Sequence, residues 1–273
     1  MLYFVPTPIG NLEDISMRAL KVLKTAEIIF CEDTRVAKKL LSLLGKKFEI
    51  TFGDKKYFSM HSHNEKYLLS KIELSIFDKE VVYLSDAGMP CVSDPGCEFV
   101  RFCQENSVSY EVLPGANALL TAFASSGFCD PKFLFFGFLP HKGKERDKNL
   151  KKALYSSYTV ILYESPHRLK KLLMQINSLD KNRELFLIKE ATKLYEKRYR
   201  GNAQEILDIL EKESIKGEWV VVIKAGDESI KGQISKEDIL SLDISKKEAS
   251  KLLAKIYDLS PKECYNLILK ESN

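Results

Sequence analysis

Residues 85–96 read SDAGMPCVSDPG and follow the apolar, β-branched run EVVYL at 80–84. Carboxylates, glycines and prolines concentrated directly after a buried strand suit a turn that contacts a ligand, because bare backbone there can approach a small molecule closely. An ordinary turn needs fewer residues. The stretch therefore predicts an open α/β sheet with a binding site at the carboxyl ends of its strands.

Outward from this stretch the same alternation recurs. LYFV precedes ISMRALKVLKTA, EIIFC precedes VAKKLLSLLG, EVVYL precedes CEFVRFCQEN, and SYEVL precedes ALLTAFASSG. Short apolar runs spaced by helical patterns predict α/β units around a largely buried sheet. Beyond Gly127 the pattern restarts with KFLFFGFL, a basic helical segment, YTVILYE, HRLKKLLMQI, ELFLIKE, KLYEKRYRG, a helix from about Ala203, and WVVVIK. Some strands there follow one another with only a short connection, which predicts a second, more mixed α/β domain.

After Gly226 the long β runs stop, and Ser235, Ser245 and Ser260 open short helical segments. SKKE at 245–248 and SPKE at 260–263 match the capping box, and Pro261 suits a first helical position. Helices over 246–257 and 261–270 would flank the turn YDLSP, a spacing compatible with a helix-turn-helix. A packing or dimer-contact appendix explains this tail as well, since its charge is balanced rather than basic. The expected organisation is α/β over residues 1–116, α/β over 117–227 and a helical appendix over 228–273.

The 273 residues are 45% hydrophobic, enough for two cores, and 42 basic against 38 acidic residues give a net charge of +4. Any nucleic-acid surface must then be a local patch. Six cysteines without a CxxC pair, and a start, MLYFVPTPIG, without a secretory pattern, predict reduced thiols in a cytoplasmic protein. No apolar run approaches the length of a membrane span.

Several strand ends carry further chemistry. PTPIGN at 6–11 can present backbone amides and a carbonyl, although neither GxGxxG nor GxxxxGK[ST] occurs. CEDTR at 31–35 either positions a polar substrate or caps a helix through Asp33 or Thr34. LPGANALLTAF at 113–123 opens a helix with small residues that admit a flat group or simply pack closely. In YESPHRL at 163–169, Ser165 and Pro166 suit a helix start, leaving Glu164, His167 and Arg168 over. KEATKLYE at 189–196 carries charge out of a strand. HSHNE at 61–65 lacks a common zinc spacing and reads as a solvated or substrate-facing loop, so no metal site is expected. HKGKERDKNLKK at 141–152 is the most basic stretch, either a solvated helix face or a contact for RNA phosphates through Lys142, Lys144 and Arg146.

In this order, PTPIGNLEDIS, CEDTR, SDAGMPCVSDPG, LPGANALL, FFGFLP, YESPHRL and KEATKLYE resemble the ribosomal small-subunit RNA cytidine 2′-O-methyltransferase family, a branch of the tetrapyrrole-methylase-like fold. The similarity spans about residues 1–226 and extends less closely to the helical tail. It implies a two-domain α/β enzyme, usually a homodimer, that binds S-adenosylmethionine between its domains and methylates a cytidine ribose in the decoding region. By matching motif positions it assigns cofactor contact to Pro8, Leu84, Ser85, Asp86, Met89, Asn117, Ala118, Glu164 and Ala191. Met89 and Cys91 stand where small or β-branched residues are more usual, and Ala191 replaces a common Leu; each would reshape the pocket.

A ribose 2′-hydroxyl is a very weak acid, so a carboxylate or neutral histidine within reach would help as its proton leaves. Asp33 and His167 are the expected bases, with Arg35, Arg168 and Lys193 facing RNA phosphate or developing charge. Two other classes stay open: a tetrapyrrole C-methyltransferase, which leaves the basic segment and the tail unexplained, and a non-catalytic RNA-binding assembly factor, which needs no cofactor turns.

Overall fold

The computed structural model describes residues 1–226, 239–240, 242–257 and 259–270. The opening sheet contains β1 (Leu2–Val5), β2 (Ile28–Cys31), β3 (Lys56–Ser59), β4 (Val81–Leu84) and β5 (Tyr110–Val112), in the order β3-β2-β4-β1-β5. Every pair is parallel. Strands β2 and β4 are buried at each residue, as their continuous apolar runs require when helices cover both faces. Helices α1 (Met17–Thr25) and α2 (Thr34–Phe48) cover one face through Leu20, Leu23, Leu41 and Leu44. On the other face, α3 (Glu65–Leu69) and α4 (Cys97–Glu105) contribute Leu69, Phe99 and Cys103.

Strand β3 is not evident from the sequence pattern. Its residues, KYFS, form an edge strand paired only with β2 and exposed at three of four positions, so there is no apolar run to detect. The more consequential feature is the strand order. From β1 the chain crosses to β2 and onward to β3, whereas from β4 it crosses the opposite way, past β1, to β5. Connections diverging in this manner open a crevice at the carboxyl ends of the adjacent strands. Those strands are β1 and β4, which lead into PTPIGN and SDAGMP.

The second sheet is mixed, as expected. Strands β6 (Phe133–Phe138), β7 (Thr159–Glu164), β8 (Leu185–Lys189), β9 (Lys197–Gly201) and β10 (Trp219–Ile223) lie in the order β6-β7-β10-β8-β9. Only β6 and β7 are parallel. Helix α5 (Ala118–Ser126) covers one face with Leu119 and Ala122, joined by Ile9 from the first lobe. Helices α6 (Lys144–Leu154), α7 (Pro166–Leu179) and α8 (Ala203–Leu210) cover the other.

The two sheets belong to one compact unit, Met1–Gly226, and residues Asp227–Asn273 form another. In that second unit α9 (Lys246–Tyr257) and α10 (Pro261–Lys270) coincide with the expected helices and pack through Ala249, Leu253, Cys264 and Ile268. Both capping boxes form: Glu248 N–H donates to Ser245 Oγ at 3.2 Å and Glu263 N–H to Ser260 Oγ at 3.2 Å, with each glutamate accepting from the serine's own N–H. The start expected at Ser235 lies outside the described residues. Among the described residues no helix is long and apolar enough to cross a membrane.

Candidate functional site

The turns after β1 and β4 are zipped together. Thr7 N–H donates to the Gly88 carbonyl at 2.9 Å, and Gly88 N–H returns a bond to the Thr7 carbonyl at 3.0 Å. The Ser85 hydroxyl donates to the Gly88 carbonyl at 2.7 Å, and the Thr7 hydroxyl to the Ser85 carbonyl at 3.3 Å. Gly88 has φ of +88°, a conformation other residues adopt only with strain. Ser85 thus shapes the turn from inside.

The later half of SDAGMPCVSDPG is anchored from a distance. Glu65, buried at the start of α3, accepts hydrogen bonds from Gly96 N–H and Phe99 N–H, each at 3.1 Å. These are free donors of the first turn of α4, so a remote carboxylate caps that helix. The sequence offers no local signal for this, because the partners lie 31 and 34 positions away.

The second lobe also meets the chain after β1. Asn11 N–H donates to the Thr192 hydroxyl at 3.2 Å. Gly10 lies so close to this loop that a Cβ would fall 3.0 Å from the Ala191 carbonyl and 2.4 Å from Lys193 Cγ. A side chain at position 10 would require the Lys193 and Thr192 side chains to shift.

Between the lobes lies a cleft of about 370 Å³. Gly88, Ala118 and Ala191 keep part of its wall small, while Phe138, Tyr163 and Trp219 supply aromatic surface. Of the expected cofactor contacts, Met89, Asn117, Ala118, Glu164 and Ala191 line it. Pro8, Leu84, Ser85 and Asp86 do not; Leu84 is sheet core and Ser85 is buried beneath the turn. Asn117 also caps α5, its Oδ1 accepting from Leu120 N–H at 3.2 Å.

Glu164, at the end of β7, anchors the wall opposite the SDAGMP turn. Its Oε2 accepts from Arg146 Nη2 at 3.0 Å and its Oε1 pairs with Arg168 Nη2 at 2.7 Å. Arg146 also donates to the Pro140 carbonyl and to Gln175, and Arg168 to Ser165 Oγ and the Leu139 carbonyl. The side chains of Arg146 and Glu164 are each 1% exposed. This corrects the expectation for Arg146: an arginine enclosed in α6 and bonded on three sides holds the wall together and cannot present its fork to RNA. Lys142 and Lys144, beside it, are exposed.

The expected bases require correction too. Asp33 caps α2, and its carboxylate is clasped by the Arg35 side chain at 2.6 Å, which holds its pKa at about 2. So weak a base gives little driving force for removing a hydroxyl proton. His167 is exposed on the first turn of α7, and neither residue lines the cleft. Arg35, 90% exposed, is engaged with Asp33, and Lys193 with Glu190 at 3.1 Å and Glu218 at 3.0 Å.

A carboxylate that sequence reasoning passed over faces the cleft instead. Asp94, the second aspartate of SDAGMPCVSDPG, lines it. Burial, then the nearby carboxylates of Glu32 and Asp86, push its pKa up to about 7. Those two neighbours are themselves raised, chiefly by burial. Asp86 N–H donates to Glu32 Oε1 at 3.4 Å and Asp33 N–H to Asp86 Oδ1 at 3.3 Å, tying together the chain after β2 and β4. The residue's place in the quoted motif was its only signal; its electrostatic setting comes from segments distant in sequence.

Residues 1–207 match the family described as Tetrapyrrole (Corrin/Porphyrin) Methylases. The chain is 49% identical over 270 residues to Ribosomal RNA small subunit methyltransferase I of Campylobacter fetus, covering 98% of this chain and 100% of that one. It is 42% identical over 287 residues to the protein of the same name from Helicobacter pylori, covering 100% of both. The fold is similar to that of a uroporphyrin-III C-methyltransferase from Thermus thermophilus complexed with S-adenosylhomocysteine, with a TM-score of 0.56 and 18% identity, covering 81% of this chain and 96% of that one. On this evidence of sequence and architecture, the chain belongs to the Tetrapyrrole (Corrin/Porphyrin) Methylases.

Proposed function

We propose that this protein is an S-adenosylmethionine-dependent methyltransferase that places a methyl group on the 2′-oxygen of a cytidine ribose in the decoding region of small-subunit ribosomal RNA, acting in the cytoplasm as a homodimer. The observation that carries this reading is the convergence of SDAGM, GANA, YES and KEAT on one cleft. The names of the full-length relatives support ribosomal RNA of the small subunit as the substrate.

The cleft suits the cofactor. Its volume of about 370 Å³ lies within the range of about 300–1,000 Å³ common to small-molecule sites. Gly88, Ala118 and Ala191 leave space for a flat base, and the aromatic side chains of Phe138 and Tyr163 in the lining suit a cation such as a sulfonium. When bound, the cofactor supplies an activated methyl group. The chain's own part is to orient and to exclude water. The Thr7–Gly88 zipper fixes the backbone of one wall. The buried Glu164 carboxylate, held by two arginines, fixes the other. Lys142 and Lys144 give RNA phosphates a basic approach at the start of α6.

Tritium-labelled S-adenosylmethionine tests the reading. Label recovered on ribose of small-subunit RNA supports it. Label on a tetrapyrrole, or on neither substrate, refutes it in favour of a C-methyltransferase or a non-catalytic assembly factor.

A further inference from the structure

Three carboxylates line the cleft: Asp94, Glu164 and Glu218. Glu164 is shared between Arg146 and Arg168, and Glu218 is paired with Lys193 at 3.0 Å. Both of these carboxylates are engaged in ion pairs with neighbouring cations. Asp94 is placed differently. It sits beside Glu32 from the chain after β2 and Asp86 from the chain after β4, both of which disfavour its ionisation. The remaining titratable groups acting with it are neutral acids: Tyr83 on β4, Cys91 in the same loop and Tyr163 on β7. Among the described residues, the cleft lining contains no histidine and no lysine.

We propose that Asp94 is the catalytic base, accepting the proton of the ribose 2′-hydroxyl during methyl transfer; this role rests on the function proposed above. The hydroxyl proton passes to a carboxylate oxygen of Asp94 while an electron pair on the ribose oxygen forms the new bond to the methyl carbon. The pair of the breaking carbon–sulfur bond stays on sulfur, and Asp94 later returns the proton to water. A pKa near 7 matches the group to proton transfer near neutral pH.

The setting also gives a readout independent of turnover. Burial raises Asp94 from its ordinary 3.8, so between about pH 4 and pH 7 the folded chain holds a proton that the unfolded chain has released. Stability conferred by the protonated form is therefore lost as pH rises through this window. Asp94→Asn, neutral throughout, should melt higher than wild type at pH 8, by a smaller margin at pH 5, and close to it at pH 4 and below.

The decisive experiment combines kinetics with spectroscopy. With tritiated S-adenosylmethionine and small subunits lacking the modification, Asp94→Asn should lower kcat by about 10²-fold or more. Its calorimetric affinity for S-adenosylhomocysteine should stay within a few-fold of wild type. In the wild-type protein, the carbon-13 resonance of the Asp94 carboxyl should titrate near pH 7, an observation that needs no variant to fold. Turnover of Asp94→Asn within a few-fold of wild type, or titration of that resonance near pH 4, overturns the role while leaving the proposed function intact. If wild type labels no RNA, the function and the role fall together.

Discussion

Replacing Arg146 with methionine separates a wall-forming arginine from an RNA-contacting one. The substitution keeps much of the apolar stem but removes three bonds: to Glu164 at 3.0 Å, to the Pro140 carbonyl at 3.2 Å and to Gln175 at 3.3 Å. The charge-assisted bond is worth about 1.5–3 kcal/mol and each of the others about 0.5–1.5 kcal/mol. Complete isolation of a buried partner would cost about 3–5 kcal/mol, but Glu164 keeps Arg168 and the Ser165 N–H. The expected loss is therefore about 3 kcal/mol, equivalent to a fall in Tm of roughly 6–12 °C for a protein of this size. Urea denaturation followed by tryptophan fluorescence reads it through Trp219, which sits in the same core. A loss below about 1 kcal/mol with a raised KM for small subunits would refute the structural role and return Arg146 to the RNA surface.

Three further outcomes follow from the same geometry. Glu65→Ala leaves two buried N–H groups of α4 uncapped and should destabilise the protein by about 1–3 kcal/mol in denaturant titration, with Glu65→Gln recovering part of the loss because its amide oxygen still accepts. Gly10→Ala drives a Cβ toward the Ala191 carbonyl, and the resulting overpacking should cost about 1–3 kcal/mol and weaken S-adenosylhomocysteine binding by calorimetry. Asp33→Asn and His167→Ala should each keep methyl transfer within a few-fold of wild type, since neither residue lines the cleft; loss of turnover in either would restore it as a candidate base.

Much of this architecture was legible because its signals are local. Apolar runs such as IIFC and VVYL are buried at every position, and the serine caps at 245 and 260 act within four residues. What stayed hidden depends on partners distant in sequence. Edge strand β3 is set by pairing with β2 rather than by apolar pattern. Arg146 belongs to the most basic stretch of the chain, yet Glu164, 18 positions later, draws it into the core. Asp33 and Asp94 are both aspartates near strand ends, and their neighbours separate them: Arg35 holds one anionic, whereas burial beside Glu32 and Asp86 keeps the other near neutrality. The resemblance pointed to the turns around the cleft but did not distinguish residues facing it, such as Met89 and Ala118, from those building the turn beneath it, such as Ser85.

Two zipped turns and a fixed opposing wall should together form a single nucleoside-binding cleft. Isothermal titration of S-adenosylhomocysteine into the purified, folded protein tests it most directly. Saturable binding is expected, abolished when Ala118 is replaced by phenylalanine to fill the cleft. Absence of binding, or binding that this substitution leaves unchanged, would contradict it.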